Sequence, residues 1–442
     1  MNKRISDYNG EPVTAVIVGA GQRSLIYAGY AERYPRELRI VGVVEPNPER
    51  RRLTMERFGI PGENAMASVT ELCERPKLAD AAINGTMDEL HLETTLPLLQ
   101  HGYDVLLEKP IGVNEEETLR LQDAARRSGR TVMICHVLRY SPFYQAVKER
   151  IAAGSIGEIV NIQAAEHVSY HHMAVSFIRG KWNSEEKCKS SMLMQKCCHD
   201  LDLIAWLAGG ARPVKVGSFG SLMQFRPERA PEGAGTRCLA DCPIERDCPY
   251  SARKHYIDQD RWGMYVWENN HLGATMSREE KLASLRADNP YGRCVWRCDN
   301  DVVDHQSVII EFDNQATASL NMVGATSRPC RTLHVTGTKG EIQGVLEDGY
   351  FVLRHPDPRA GREYAEEKIT VDVANDSHGG GDLRLVQDFV RTLRGERPSI
   401  SSTSLDQSIY GYVIGYAAEQ SRKSGKTVDL DVQKPERFYS AQ

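Results

Sequence analysis

Residues 193–202, LMQKCCHDLD, set two cysteines, a histidine and two aspartates within six positions. Such side chains can hold a metal, move protons or edge a buried helix. On a helix, successive residues lie about 100° apart, and residues three or four apart share a face. Gln195, Lys196, His199, Asp202 and Leu203 then gather on one side, and Leu201, Ile204, Ala205 and Ala208 form an apolar stripe on another. Cys197 and Cys198 diverge, so with His199 they cannot supply the tetrahedral ligands of one zinc ion. They read better as small thiols in a packed helix. His199 is either a histidine satisfied by helix packing or a proton-transfer group, since an imidazole titrates near neutral pH. Asp202, on the same face, is a candidate for holding substrate.

A second set of residues suits a nucleotide. The turn GAGQRS (19–24) follows the β-branched run TAVIV (14–18). Gly19 permits a tight turn, and Gly21 lets the backbone approach a pyrophosphate at a helix start, flanked by Gln22 and Arg23. Ser24 stands where the dinucleotide fingerprint has its third glycine, and it is small enough for close helix–sheet packing. Glu45 ends the run IVGVV, 21 residues after Ser24. A carboxylate there holds both ribose hydroxyls and repels a 2′-phosphate, which favours NAD over NADP. The plainer reading makes Glu45 a cap for the loop that holds Pro46 and Pro48. A third candidate is EKP (108–110), directly after the run YDVLLE. A lysine at the C-terminal end of a parallel strand points into the crevice where such sheets bind ligands.

The elements that must position these residues follow from periodicity. TAVIV, IVGVV, ADAAIN (79–84), YDVLLE (103–108) and TVMIC (131–135) are short and rich in β-branched residues, as parallel strands buried on both faces are. Helical stretches lie between them, and Asn114 with Glu117 three positions on marks a helix start. Strand–helix alternation predicts an α/β fold whose first part is a doubly wound parallel sheet.

In order, GAGQR, EKP, LRYSPFYQAVKERIAAGSIGEI (138–159), HDLDLIAWL (199–207), GTKGEI (337–342) and HGGGDLRLVQDFV (378–390) resemble the glucose–fructose oxidoreductase/inositol dehydrogenase (Gfo/Idh/MocA) family. The resemblance covers roughly residues 13–225 and 302–425. It implies an N-terminal NAD-binding Rossmann domain, 1–137, and a C-terminal α/β domain, 138–442. The second domain would carry a large open, mostly antiparallel sheet with the substrate and an oligomer interface, in a dimer or tetramer. It also implies hydride transfer between nicotinamide and a carbinol carbon of a sugar, glycoside or cyclitol. In that family the EKP lysine lies beside nicotinamide and substrate, which implies such a role for Lys109. His199 matches the catalytic histidine of the pattern D-x-x-x-H-x-x-D. Gln195 replaces the first aspartate of that pattern, and an amide can only hydrogen-bond where a carboxylate would raise the basicity of the imidazole. Lys196 either joins the chemistry or neutralises a carboxylate on the substrate. Thr86 and His91 fall in a loop where relatives contact the cofactor, and His91 otherwise caps or packs the next helix. Glu108, Arg139 and Tyr140 lie near the expected cleft, with a structural role the alternative for the last two.

The stretch SYHHMAVSFIRGKW (169–182) suits a substrate wall, with Tyr170, His172, Arg179 and Trp182 reading hydroxyls and stacking on a ring. Residues 226–300 read as an insertion. Cys238, Cys242 and Cys248, spaced C-x3-C-x5-C, with Cys294 and Cys298 beyond, suit either a structural zinc site or free buried thiols. Tyr250, Lys254, His255 and Tyr256 follow and could reach the substrate mouth. Bulk properties exclude several classes. A net charge of −5 without a long basic run gives no support for nucleic-acid or membrane binding, and no segment reads as a signal peptide or membrane span. The 11 cysteines, odd in number and scattered, suit a reduced cytoplasm. The leading function is therefore an NAD-dependent sugar or polyol dehydrogenase. Its rivals are a glycosidase that transiently oxidises C3, eliminates, adds water and re-reduces, and a non-enzymatic NAD sensor.

Overall fold

The computed structural model describes residues 10–373 and 378–431. Six parallel strands form the first sheet: β1 (Val13–Val18), β2 (Leu38–Val44), β3 (Ala65–Met66), β4 (Ala81–Asn84), β5 (Asp104–Leu107) and β6 (Val132–Ile134). Their order, β3-β2-β1-β4-β5-β6, is that of a doubly wound nucleotide-binding sheet. Helices cover both faces, which is why β1, β4 and β5 are nearly unbroken apolar runs. β3 has two residues, too few to show a period in the sequence. The helix Glu115–Ser128 starts where Asn114 Oδ1 accepts from Glu117 N at 2.9 Å. The Glu117 carboxylate reaches one residue further back, to Val113 N at 3.1 Å.

The second sheet has nine strands: β7 (Ile159–Ser169), β8 (Pro213–Ser221), β9 (His305–Phe312), β10 (Thr317–Thr326), β11 (Cys330–Gly337), β12 (Glu341–Val345), β13 (Tyr350–Pro356), β14 (Tyr364–Thr370) and β15 (Val428–Asp429). They run in the order β14-β13-β12-β11-β7-β10-β9-β8-β15, and only β7 with β10 is a parallel pair. One face is covered by the helices Met192–Leu207 and Leu405–Ser424. The other is open, so β9 alternates buried and exposed residues along its length. This is the open, mostly antiparallel sheet that the family resemblance implies.

The helix Met192–Leu207 lies between the two cores. Leu193, Cys197, Leu201 and Ile204 pack into the core of the second sheet. Met194 and Cys198 pack against that of the first. The single apolar stripe read from the sequence is therefore too narrow: the helix is buried on two sides, and the divergent cysteines serve one core each. The helix Gly381–Leu393 returns to the first sheet, where Leu385, Val386, Phe389 and Val390 pack on Leu25 and Tyr27. Chain order and spatial lobes thus interleave at the C-terminal end. Residues 226–300 hold short helices and one isolated bridge, Arg237 with Arg293, around a small core of Ala252, Tyr256, Trp267 and Leu285.

Candidate active site

The glycine turn is shaped by two close approaches. Gly19 has φ +76°, and a Cβ there would sit 3.0 Å from Thr86 N. A Cβ on Gly85 would come within 2.2 Å of Ser24 Oγ. Helix–sheet contact is thus preserved at Ser24 because the glycine sits on the facing loop instead. Gly21 caps the helix Gln22–Ala28 without a side-chain hydrogen bond. Glu45, 3% exposed, accepts from Ala20 N at 2.8 Å and from Asn47 N at 3.0 Å. It ties the end of β2 to the glycine turn; Oε1 also lies 3.5 Å from Arg50, and Oε2 keeps a further lone pair for a ribose hydroxyl. These residues fit a dinucleotide.

Neighbouring candidates are engaged with protein. Thr86 Oγ1 donates to Asn84 Oδ1 at 3.0 Å. His91 is enclosed, with Nδ1 2.6 Å from the Pro110 carbonyl and Nε2 3.2 Å from that of Thr86. This corrects its reading as a cofactor contact: it joins the loop after β4 to the turn after Lys109. Glu108 accepts from the Tyr27 hydroxyl at 2.6 Å and lies 3.6 Å from Arg23, whose guanidinium also holds Asp382.

Lys109 and His199 come together from the two lobes. Lys109 Nζ donates to the main-chain carbonyl of Gln195 at 2.6 Å, one turn before His199. No carboxylate lies within 4 Å of this partly buried ammonium among the described residues. Desolvation works against its charge, but Cys198, Glu108 and Asp88 outweigh it and hold the pKa above the usual lysine value. His199 is 5% exposed, and its Nδ1 has no hydrogen-bond partner among the described residues. Burial first, then the charge of Lys109, keep its pKa well below the ordinary histidine value. It is a neutral imidazole at pH 7. Gln195 donates to Ser190 O at 2.8 Å and leaves its own Oε1 buried without a partner.

Lys196 turns towards β7, 3.1 Å from Glu166. Arg331 binds the same carboxylate at 2.7 Å and Asp200 at 3.0 Å. Burial pushes Asp200 up to about 6, against the pull of Arg331. The Lys196 charge is thus matched within the protein.

Three other expectations are corrected. Arg139 and Asp202, read as cofactor and substrate contacts, are fully buried and bind each other through two nitrogens, at 2.7 and 2.5 Å. Arg179, read as substrate-binding, is 1% exposed and donates to the carbonyls of Arg293 at 2.7 Å and Tyr250 at 2.8 Å. It anchors the insertion. Zinc finds no support: among the described residues no three His, Cys, Asp or Glu side chains gather to hold an ion. Cys238 accepts from Arg179, and Cys298 donates to the Cys294 carbonyl at 3.2 Å. Burial pushes Cys298 up to about 11, so it is a neutral thiol. Tyr250, His255 and Tyr256 are buried, Tyr250 in the core of the second sheet and Tyr256 in the small core of residues 226–300.

The insertion reaches the cleft by other residues, which the sequence analysis missed. Trp262 stacks on His172, with ring centres 4.7 Å apart. Tyr265 lies 5.8 Å from Trp182, its phenol raised by burial despite Arg23 and Lys109 nearby. Met264 meets the Gln22 amide, and His271 sits by Ala20 and Glu45. Tyr170 instead packs on Tyr250 and His255. His378 lies 5.8 Å from His199, ring centre to ring centre. WGMY (262–265) and the histidine of HGGGD were the available signals.

Family models match both lobes: the NAD-binding Rossmann fold of an oxidoreductase family over residues 13–136, and its C-terminal alpha/beta domain over 148–430. The chain belongs to the Gfo/Idh/MocA oxidoreductase family. It is 26% identical over 374 residues to the putative oxidoreductase YteT of Bacillus subtilis, covering 81% of this chain and 83% of that one. It is 25% identical to inositol 2-dehydrogenase of Leifsonia xyli, covering 49% of this chain and 59% of that enzyme. The fold matches levoglucosan dehydrogenase in complex with NADH and levoglucosan, with a TM-score of 0.69 at 17% identity, over 96% of this chain and 100% of that one. The family is one of NAD(P)-dependent oxidoreductases with sugar and cyclitol dehydrogenases among its relatives. No described helix is long and apolar enough to cross a membrane.

Proposed function

We propose that the chain transfers hydride between NAD and a carbinol carbon of a small sugar, glycoside or cyclitol. The observation that carries this reading is the Lys109–His199 pair: an ammonium without a carboxylate partner, held one helical turn from a neutral, buried imidazole. Gly19, Gly21, Ser24 and Glu45 would hold the dinucleotide, which supplies the hydride acceptor or donor when bound. His199 takes the hydroxyl proton of the substrate. Lys109 donates a hydrogen bond to the same oxygen and stabilises its growing negative charge. The absence of a touching carboxylate matters here: Glu108 and Asp88 keep the lysine charged from a distance and leave its N–H donors for that oxygen. Trp182, His172, Trp262 and Tyr265 form an aromatic wall suited to a sugar face. The test is NADH formation, read by absorbance, when the protein is incubated with NAD+ and a panel that includes inositol and levoglucosan. No NADH with any polyol would sink the reading.

The redox-neutral glycosidase is kept as a second reading because of one observation. Met264 and His271 of the insertion lie on the glycine turn, at Gln22 and Ala20, where they would retain a bound dinucleotide between half-reactions. Release of nitrophenol from a nitrophenyl glycoside with substoichiometric NAD+ separates it from net oxidation. The open face of the second sheet, with Phe219 74% and Ile309 62% exposed, supports assembly with another copy, which light scattering would measure.

A further inference from the structure

A carbinol oxygen carries one proton and two lone pairs. His199 takes the proton and Lys109 fills one lone pair, which leaves the second open as charge grows on that oxygen. The insertion reaches this place with a phenol. Trp262 is fixed on the substrate wall: it stacks on His172 with ring centres 4.7 Å apart, and its indole N–H donates to His171 Nδ1 at 3.1 Å. Two residues on, Met264 meets Gln22 on the helix after the glycine turn. Tyr265 follows, half-buried, its main-chain N–H on the Trp262 carbonyl at 2.8 Å. Its ring packs on Trp262 and Trp182, with centres 5.6 and 5.8 Å away. Trp262 has φ +62°, a left-handed conformation that a bulky residue keeps only where its surroundings hold it. Such strain gathers at functional sites.

The charged groups that act on the Tyr265 phenol are Arg23, Lys109 and Glu108, on the helix after the glycine turn and just past β5. The phenol therefore extends from the aromatic wall towards the lysine. Its hydroxyl makes no hydrogen bond among the described residues. Two other phenols of the insertion are engaged: Tyr250 accepts from Gln224 at 3.0 Å, and Tyr256 from Arg179 at 3.2 Å. Burial raises the Tyr265 pKa, so the group keeps its proton at pH 7 and acts as a donor. We infer that Tyr265 is a further catalytic residue of this site, the donor that fills the second lone pair of the reacting oxygen. The inference rests on the proposed hydride transfer. The O–H proton goes to His199, the electron pair of the C–H bond leaves as hydride, and Tyr265 retains its own proton, so the step balances. In the reverse direction the same hydrogen bond polarises the carbonyl.

Tyr265→Phe in the full chain tests this, since phenylalanine keeps the ring on Trp182 and Trp262 and removes only the O–H. With whichever of inositol or levoglucosan the wild type oxidises, kcat and kcat/KM should both fall about a hundredfold, as loss of one oxyanion donor does. Tryptophan fluorescence reads binding, with Trp182 and Trp262 in the cleft. The affinities for NAD+, and for substrate on the NADH-loaded protein, should stay within about threefold of wild type. Turnover within about threefold of wild type overturns the inference. So does a raised KM at unchanged kcat, which marks a wall residue, and so does a loss of NAD+ affinity, which places the hydroxyl on the cofactor. A wild type that forms no NADH overturns the oxidoreductase reading and the inference with it, whereas the other outcomes spare that reading.

Discussion

Two buried cation systems share one helix and behave in opposite ways. Asp202 binds Arg139 in a closed, bidentate pair with both side chains out of water. Three residues earlier, His199 lies under the charge of Lys109, whose ammonium touches no carboxylate among the described residues. Desolvating a charge is costly, and a matched pair largely offsets that cost. A charge that no carboxylate touches keeps its donors available to whatever enters. The difference shows that proximity of charged residues on a helix face does not distinguish structure from chemistry, whereas the completeness of their pairing does.

The sharpest break of this comparison is Lys109→Ala. It should cut turnover about a thousandfold, as loss of an oxyanion donor does, and leave the melting temperature close to wild type. Asp202→Ala should do the reverse. Stranding Arg139 should cost about 3–5 kcal/mol, read as an earlier urea midpoint, and NAD+ should still bind whatever fraction stays folded. A Lys109→Ala protein that turns over normally would remove the contrast. Gln195→Asp tests it from the other side. A new carboxylate beside His199 stabilises the imidazolium, so the acid limb of kcat/KM should rise by about one pH unit.

A smaller effect concerns His136, whose pKa burial lowers to about 4 despite Asp202 3.6 Å away. Unfolded, this ring binds a proton near pH 6.5; folded, it resists until about 4. Between those values the unfolded chain holds more protons, so stability falls as pH drops from 6.5 towards 4 and levels off below. Thermal melts of wild type and His136→Gln should converge towards the acid end of that window. Last, overnight EDTA should leave the melting temperature unchanged, because the insertion cysteines are packed thiols. A drop would reinstate a metal there.

The first lobe was legible because each of its signals is local. GAGQRS, Glu45 and EKP sit at strand ends, and a strand end fixes where its side chain goes. The sheet of the second lobe was expected only through the family resemblance, because no strand pattern was read along that half of the chain. Arg139, Asp202 and Arg179 were misassigned because their partners lie 63 residues away in one case and 114 in the other, and sequence spacing carries no trace of such pairs. Residues 226–300 were read as an insertion, but Trp262, Tyr265 and Met264 within them went unnoticed. Nothing periodic marks a loop whose role is to reach across a cleft. His378 was quoted within its motif without a task, since its meaning comes from Asp382 and from the ring it faces.

The helix that carries His199 is wedged into both hydrophobic interiors at once, with Cys197 seated in one and Cys198 in the other. Close-packed interiors do not stretch, so swinging the lobes apart would strip one side of that wedge. The lobes are therefore geared together through the very turn that holds the imidazole.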